Sequence, residues 1–166
     1  MLPKELALTF QKITEADIPE LTLVLARAFD DDAQKYLGQE RGGPPGYDNG
    51  EYLRRQKLAR PENIGYKVIA HGKVIAGIIV HVFEDGENML GTLFVDPAYQ
   101  DRGVGTRTWE FVKAAYPAAK SWILKTPAYA IKNHHFYEVK CGFTKVGEEE
   151  YQGPGGTVFI YKKEIE

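Results

Sequence analysis

The chain has 166 residues, 43% hydrophobic and 12% aromatic, with 21 Lys plus Arg against 23 Asp plus Glu for a formal charge of −2. That length suits one domain with a real core, taken as residues 1–166, and the balanced charge excludes a basic stripe for nucleic acid or a polybasic membrane anchor. Cys141 is the lone cysteine, which excludes an intrachain disulfide or a Cys-rich metal cluster, and the longest near-apolar run, residues 74–83, falls far short of the roughly 20 a membrane span requires.

Met1-Leu2-Pro3-Lys4-Glu5 carries an acid and lacks the basic-then-apolar layout of a secretory signal, so a reduced, cytoplasmic protein is expected. Residues 8–13 alternate apolar and polar as a half-buried strand does. Thr14 and Asp17 then form a near capping box, and Leu21, Val24, Leu25, Ala28 and Phe29 follow helical spacing over residues 18–29. This helix is expected to run out at Asp30-Asp31-Asp32. Residues 38–50, with Gly42-Gly43-Pro44-Pro45-Gly46, read as an irregular loop of the kind that is often functional, and residues 51–59 as a second helix. Residues 66–70, 74–83 and 89–95, separated by turns at His71-Gly72-Lys73 and at residues 84–88, predict three consecutive antiparallel strands. A helix over 103–116, a strand over 121–126, a helix over 131–140 and strands over 144–151 and 158–163 complete the chain. The order is that of a mixed α/β fold: one sheet with helices on its faces.

The glycines matter most where a strand ends at Val95. The run Asp96-Pro97-Ala98-Tyr99-Gln100-Asp101-Arg102-Gly103-Val104-Gly105-Thr106 makes a tight turn and opens a helix. Backbone N–H groups there lack intrahelical partners, and with the positive end of the helix dipole they suit a phosphate or pyrophosphate. Each such charge interaction contributes roughly 0.3–1 kcal/mol, so several together hold an anion. A P-loop is excluded, because no Gly-Lys-Ser/Thr follows a four-residue gap. The dinucleotide fingerprint fits poorly: Thr108 stands at the third glycine position, and antiparallel strands precede the turn.

The pattern Gln100-x-x-Gly103-x-Gly105 resembles the acyl-CoA-binding motif of the GNAT (GCN5-related N-acetyltransferase) superfamily. Asn133-His134-His135-Phe136-Tyr137-Glu138-Val139-Lys140-Cys141-Gly142-Phe143 resembles its second signature, a helix carrying Phe-Tyr-Glu and ending in Gly-Phe. The two lie a helix and a strand apart, and the element order matches across nearly the whole chain. The resemblance implies a single mixed, mostly antiparallel twisted sheet of about seven strands with helices on both faces.

It further implies acetyl-CoA as co-substrate, no metal, and direct transfer of an acetyl group to an amine of a small molecule in a ternary complex. Leu93, Phe94 and Val95 would splay from the parallel neighbour near residues 121–126 and pair with the pantetheine arm. Backbone N–H groups of Arg102, Gly103, Val104, Gly105 and Thr106 would hold the pyrophosphate, with Gln100 at the leading polar position. Tyr137 would protonate the departing thiolate; a phenol of pKa about 10 is protonated at neutral pH. Ala130 stands where the family usually has Asn, and Asn133, one helical turn before Tyr137, is the substitute expected to reach CoA. The segment between Tyr137 and Gly142 is one residue longer than the family pattern.

For the base that deprotonates the amine, His81 and Glu84 are three apart, so at most one looks into the cleft. Glu84 is preferred, because a strand-end carboxylate is a common family base. The acidic triplet reads as a solvated helix end in preference to an amine attractor, and His134 and His135 as helix-surface residues. Tyr36, Tyr47 and Tyr52 are candidates to line the acceptor pocket. Cys141, in a helix-to-strand turn with no base beside it, is not a nucleophile. The alternatives kept open are a non-catalytic acyl-CoA-binding or regulatory module and an acetyltransferase acting on a protein or peptide amine; the assembly is left as monomer or homodimer.

Overall fold

The computed structural model describes residues 6–58, 60–150 and 156–166. The N-terminal Met1-Leu2-Pro3-Lys4-Glu5 and the expected element ends at Ala59 and Tyr151 lie outside the described residues. Strand β1 (Thr9–Lys12) leads into helix α1 (Ile18–Asp32). The Thr14 backbone N–H donates to Asp17 Oδ2 at 2.7 Å, and Pro19 sits in the first turn, where its missing N–H leaves no bond unmade. The helix buries Ile18, Leu21, Val24, Leu25 and Ala28 along one face.

It does not run out at the acidic triplet. It continues through Asp32 and adds a π-helical turn, Ala33–Leu37, before Gly38, at φ 65°, ends it. Nothing in the triplet breaks a helix, and Lys35 pairs with Asp31 one turn back at 2.8 Å. After the loop comes helix α2 (Glu51–Leu58).

Strands β2 (Asn63–Ala70), β3 (Lys73–His81) and β4 (Glu87–Val95) form the expected antiparallel meander. Helix α3 (Val104–Ala115), strand β5 (Ser121–Pro127) and helix α4 (Ile131–His135) follow. Helix α4 passes into a π-helical turn, Phe136–Lys140, closed by the Cys141 N–H on the Phe136 carbonyl at 3.1 Å. Strands β6 (Thr144–Glu150) and β7 (Thr157–Glu164) end the chain. The result is one seven-stranded sheet in the order β1-β2-β3-β4-β5-β7-β6, antiparallel except between β4 and β5.

The core is centred on β3, buried on both faces. Ile78 and Val80 join Trp109, Trp122, Leu124 and Tyr161 on the side of α3 and α4, while Val74 and Ile79 join Leu21, Leu25 and Leu53 on the side of α1 and α2. Each such aliphatic side chain contributes roughly 1.5–3 kcal/mol by leaving water.

Two irregularities shape the functional side. Strands β4 and β5 pair only where Glu87, Asn88 and Met89 face Ser121, Trp122 and Ile123. Beyond that, β4 stays with β3 up to Val95 and β5 stays with β7 up to Pro127, so the sheet opens as a V. Beside the vertex, Ile79 faces Thr92 and Val80 faces Leu90, leaving Gly91 as an extra, bulged residue. The bulge reverses the strand's facing: Leu90 lies in the core under α3, and Phe94 in the core under α1.

Candidate active site

A cleft of about 1060 Å³ follows the V. One wall is residues 90–95 of β4 and the other residues 124–127 of β5, with Gly103, Val104, Gly105, Thr106 and Arg107 at one end. Phe94 buries its ring over Gly77 and Leu93 packs toward the α3 side, so this half of β4 offers the cleft its backbone edge.

The glycine turn is held by side-chain bonds on both sides. Asp96 accepts from the Ala98 N–H at 3.0 Å and from the Arg27 guanidinium at 2.7 Å. Gln100 Nε2 donates to the Val95 carbonyl at 3.1 Å, so this amide ties the turn to the end of β4. Asp101 and Gly103 have φ of 62° and 78°, and the first α3 bond runs from the Arg107 N–H to the Gly103 carbonyl. The N–H groups of Val104, Gly105 and Thr106 are therefore left for an outside acceptor at the positive helix end. The Val104 side chain is buried, and the Arg102 guanidinium lies over the Tyr99 ring at 5.7 Å. A Cβ on Gly105 would stand 3.1 Å from the Phe136 ring, so the two sequence motifs touch at this glycine.

Helix α4 covers the other side. Asn133 lines the cleft, and its Nδ2 donates to Thr126 Oγ1 at 3.2 Å, fixing α4 to β5; Ala130 is buried. Tyr137 lines the cleft from a buried position against Phe136, Phe143 and Tyr161. Burial, then the neighbouring Cys141 and Tyr52, push its phenol well above the usual value and keep it protonated. Cys141 is buried and its thiol is pushed up to about 12, which leaves it inert as a nucleophile. His134 is not a simple surface residue: its Nε2 lies 3.0 Å from the Pro127 carbonyl and its ring rests on Phe159.

Glu84 does not belong to this site. It sits in the turn after β3 and lines a separate cavity of about 230 Å³ with Val82, Phe83 and Tyr116. His81, the last residue of β3, faces the cleft instead. Its Nε2 is buried without a hydrogen-bond partner and would touch a Cβ on Gly91 at 2.8 Å, which places it at the bulge. Burial, and next the charge of Arg60, lower its pKa against the opposing pull of Glu62, so the ring is neutral at pH 7.

Of the three candidate tyrosines, Tyr52 lines the cleft and shares a hydrogen bond of 2.8 Å with the Thr92 hydroxyl. The Tyr47 hydroxyl donates to Asp30 at 2.7 Å and pins the loop; Tyr36 accepts from the Lys132 N–H at 3.3 Å beside Tyr129. Sequence reasoning did not single out Gly91 and Thr92. The signal available was a glycine inside a strand pattern, the mark of a bulge.

The sequence profile of the acetyltransferase (GNAT) family matches residues 25–143. An uncharacterized protein of Bacillus subtilis, YrkN, is 30% identical over 130 residues, covering 78% of this chain and 69% of its own. The solved ribosomal-protein-S18-alanine N-acetyltransferase of Escherichia coli superposes with a TM-score of 0.76 at 19% identity, covering 96% of this chain and 94% of its own. A candidate streptothricin acetyltransferase of Bacillus anthracis, solved with acetyl coenzyme A, gives 0.66 at 19% identity, covering 96% and 99%.

Proposed function

From the premise that this chain belongs to the GNAT acetyltransferase family, and is an N-acetyltransferase, we propose that it moves an acetyl group from acetyl-CoA to an amine of a small molecule in a ternary complex. The observation that carries this reading is the V: its open β4 edge runs from the His81 and Gly91 vertex to the unpaired N–H groups of Val104, Gly105 and Thr106. In this reading the pyrophosphate rests on that helix end, and the pantetheine arm pairs with Leu93, Phe94 and Val95. Gln100, Arg102, Gly103 and Asn133 shape the rest of the cofactor path.

His81, neutral at pH 7, takes the proton of the incoming ammonium. The freed amine lone pair attacks the thioester carbonyl; a C–N bond forms and the C–S bond breaks. As the C–S bond breaks, Tyr137 gives its proton to the departing sulfur, and the surplus proton on the new amide nitrogen is lost in turn to restore the phenol. The products are a neutral amide and the CoA thiol; a protonated phenol in a dry site stabilises the growing negative charge on sulfur. Positioning both reactants supplies roughly 7–11 kcal/mol of barrier reduction. No covalent enzyme intermediate is required.

Support for a compact acceptor over a protein amine comes from the loop of residues 38–50. Asp30 binds it through the Tyr47 hydroxyl at 2.7 Å and the Gly42 N–H at 3.1 Å, and Gly42, Gly43 and Pro44 close one end of the cleft. This reading supposes the cytoplasm, where a lone thiol stays reduced.

The test is thiol release from acetyl-CoA across a panel of small amines. Turnover is expected, with Tyr137→Phe and His81→Gln each lowering kcat by about 10²–10⁴-fold at unchanged acetyl-CoA affinity. Because His81 is held below the usual imidazole value, wild-type kcat/KM should fall only on the acid side of the ordinary imidazole range, and His81→Gln should lack that limb. Acetyl-CoA bound without thioester consumption would favour a non-catalytic module instead.

A further inference from the structure

The three aspartates closing α1 have three different surroundings. Asp30 holds the loop, as described. Asp31 pairs with Lys35 at 2.8 Å. Asp32 lines the cleft and makes no hydrogen bond or ion pair with any described residue.

The charged groups that face Asp32 are Asp31, Lys35 and Lys132. Both lysines are engaged elsewhere, Lys35 by Asp31 and Lys132 by Asp101 at 2.9 Å. A half-buried carboxylate thus stands in the cleft with two lysines near it and neither of them bonded to it. It is unsuited to the phosphates of CoA, which it repels.

The wall beside it is aromatic. Phe29, one helical turn earlier, meets the Tyr52 ring edge-on at 6.1 Å, and the Tyr52 hydroxyl reaches Thr92 next to the bulge. An apolar path therefore leads from Asp32 to the vertex where His81 lies.

We propose that Asp32 is a subsite for a second, non-reacting cationic group of the acceptor, so that diamines and longer polyamines are preferred over monoamines. This rests on the acetyltransferase reading above. The methylene chain lies along Phe29 and Tyr52, one ammonium stays charged at Asp32, and the other amine is deprotonated at His81. Burial and the Asp31 charge hold the Asp32 carboxyl up at about 6, against Lys35 and Lys132. Because the carboxyl is ionised only above that value, the preference for a second cation is present at pH 7.5 and fades as pH falls through 6.

Calorimetric binding of 1,5-diaminopentane and 1-aminopentane to the CoA-loaded protein tests this. The wild type is expected to bind the diamine about 10-fold or more tightly than the monoamine at pH 7.5, a charge-assisted difference. Asp32→Asn should erase that difference, chiefly by weakening the diamine, while leaving CoA binding unchanged. Equal binding of the two amines, no binding of either, or an equal loss of both in Asp32→Asn overturns the proposal. Failure of the transferase reading looks different: the diamine preference persists while no amine consumes the thioester.

Discussion

Asp96 closes β4 and begins the glycine turn by accepting from the Ala98 N–H and the Arg27 guanidinium. Burial alone would raise its pKa; the Ala98 N–H and Arg27, with the more distant Lys73, more than offset this and hold the carboxyl below its usual value. A depressed folded pKa stabilises the protein above the unfolded value near 4, and that contribution is lost as pH falls through the folded one. Asp96→Asn should cost about 1–2 kcal/mol at pH 7, since half-exposed Arg27 is partly screened. In urea unfolding from pH 7 to pH 3, the gap to wild type should stay level and then narrow below about pH 4. A gap of the same size at pH 3 would contradict this account. Strand parity says only that His81 and Glu84 face apart; what decides is that β3 ends at His81, so Glu84 turns away with the loop.

Both glycines of the motif are needed, for different physical reasons. Gly103 has open space around it, so its requirement is the left-handed φ of 78°; Gly105 is needed for its missing Cβ against Phe136. Gly103→Val should leave the far-UV spectrum native and weaken acetyl-CoA binding by about tenfold or more, because a β-branched residue at this φ costs roughly 1–2 kcal/mol and tilts the N–H groups. Unchanged calorimetric affinity would remove the turn from the site. The glycine turn was legible because a pattern of unpaired N–H groups is local. The π-helical turn at Phe136–Lys140 was visible only as one residue too many between Tyr137 and Gly142. Its backbone consequence is a widened turn that lets Tyr137 face the cleft while Phe143 stays in the core. The matching turn after Asp32 leaves no such trace in the sequence, where the acidic triplet alone suggests a helix end.

Across the whole molecule, the sheet opens because its two central strands have different partners. Strand β4 follows β3 through an antiparallel register, while β5 is held by β7, which inserts between β5 and β6. The strand order and this insertion are long-range pairings that periodicity does not encode; the family resemblance supplied the seven-stranded mixed sheet and the parallel β4–β5 neighbours, but not the place of β7. The bulge at Gly91, which brings His81 and Thr92 to the vertex, depends on a register between two strands, and its one trace in the sequence is the glycine inside the β4 pattern. No described helix is long and apolar enough to cross a membrane. The central claim is that the V between β4 and β5 receives the acyl-CoA arm, and a crystal structure with acetyl-CoA tests it most directly. The account predicts pantetheine bonded to the backbone of residues 90–95, pyrophosphate on the N–H groups of Val104, Gly105 and Thr106, and the thioester beside His81 and Tyr137. Acetyl-CoA bound outside the V, or a closed β4–β5 pairing beyond Met89 in that complex, would contradict it.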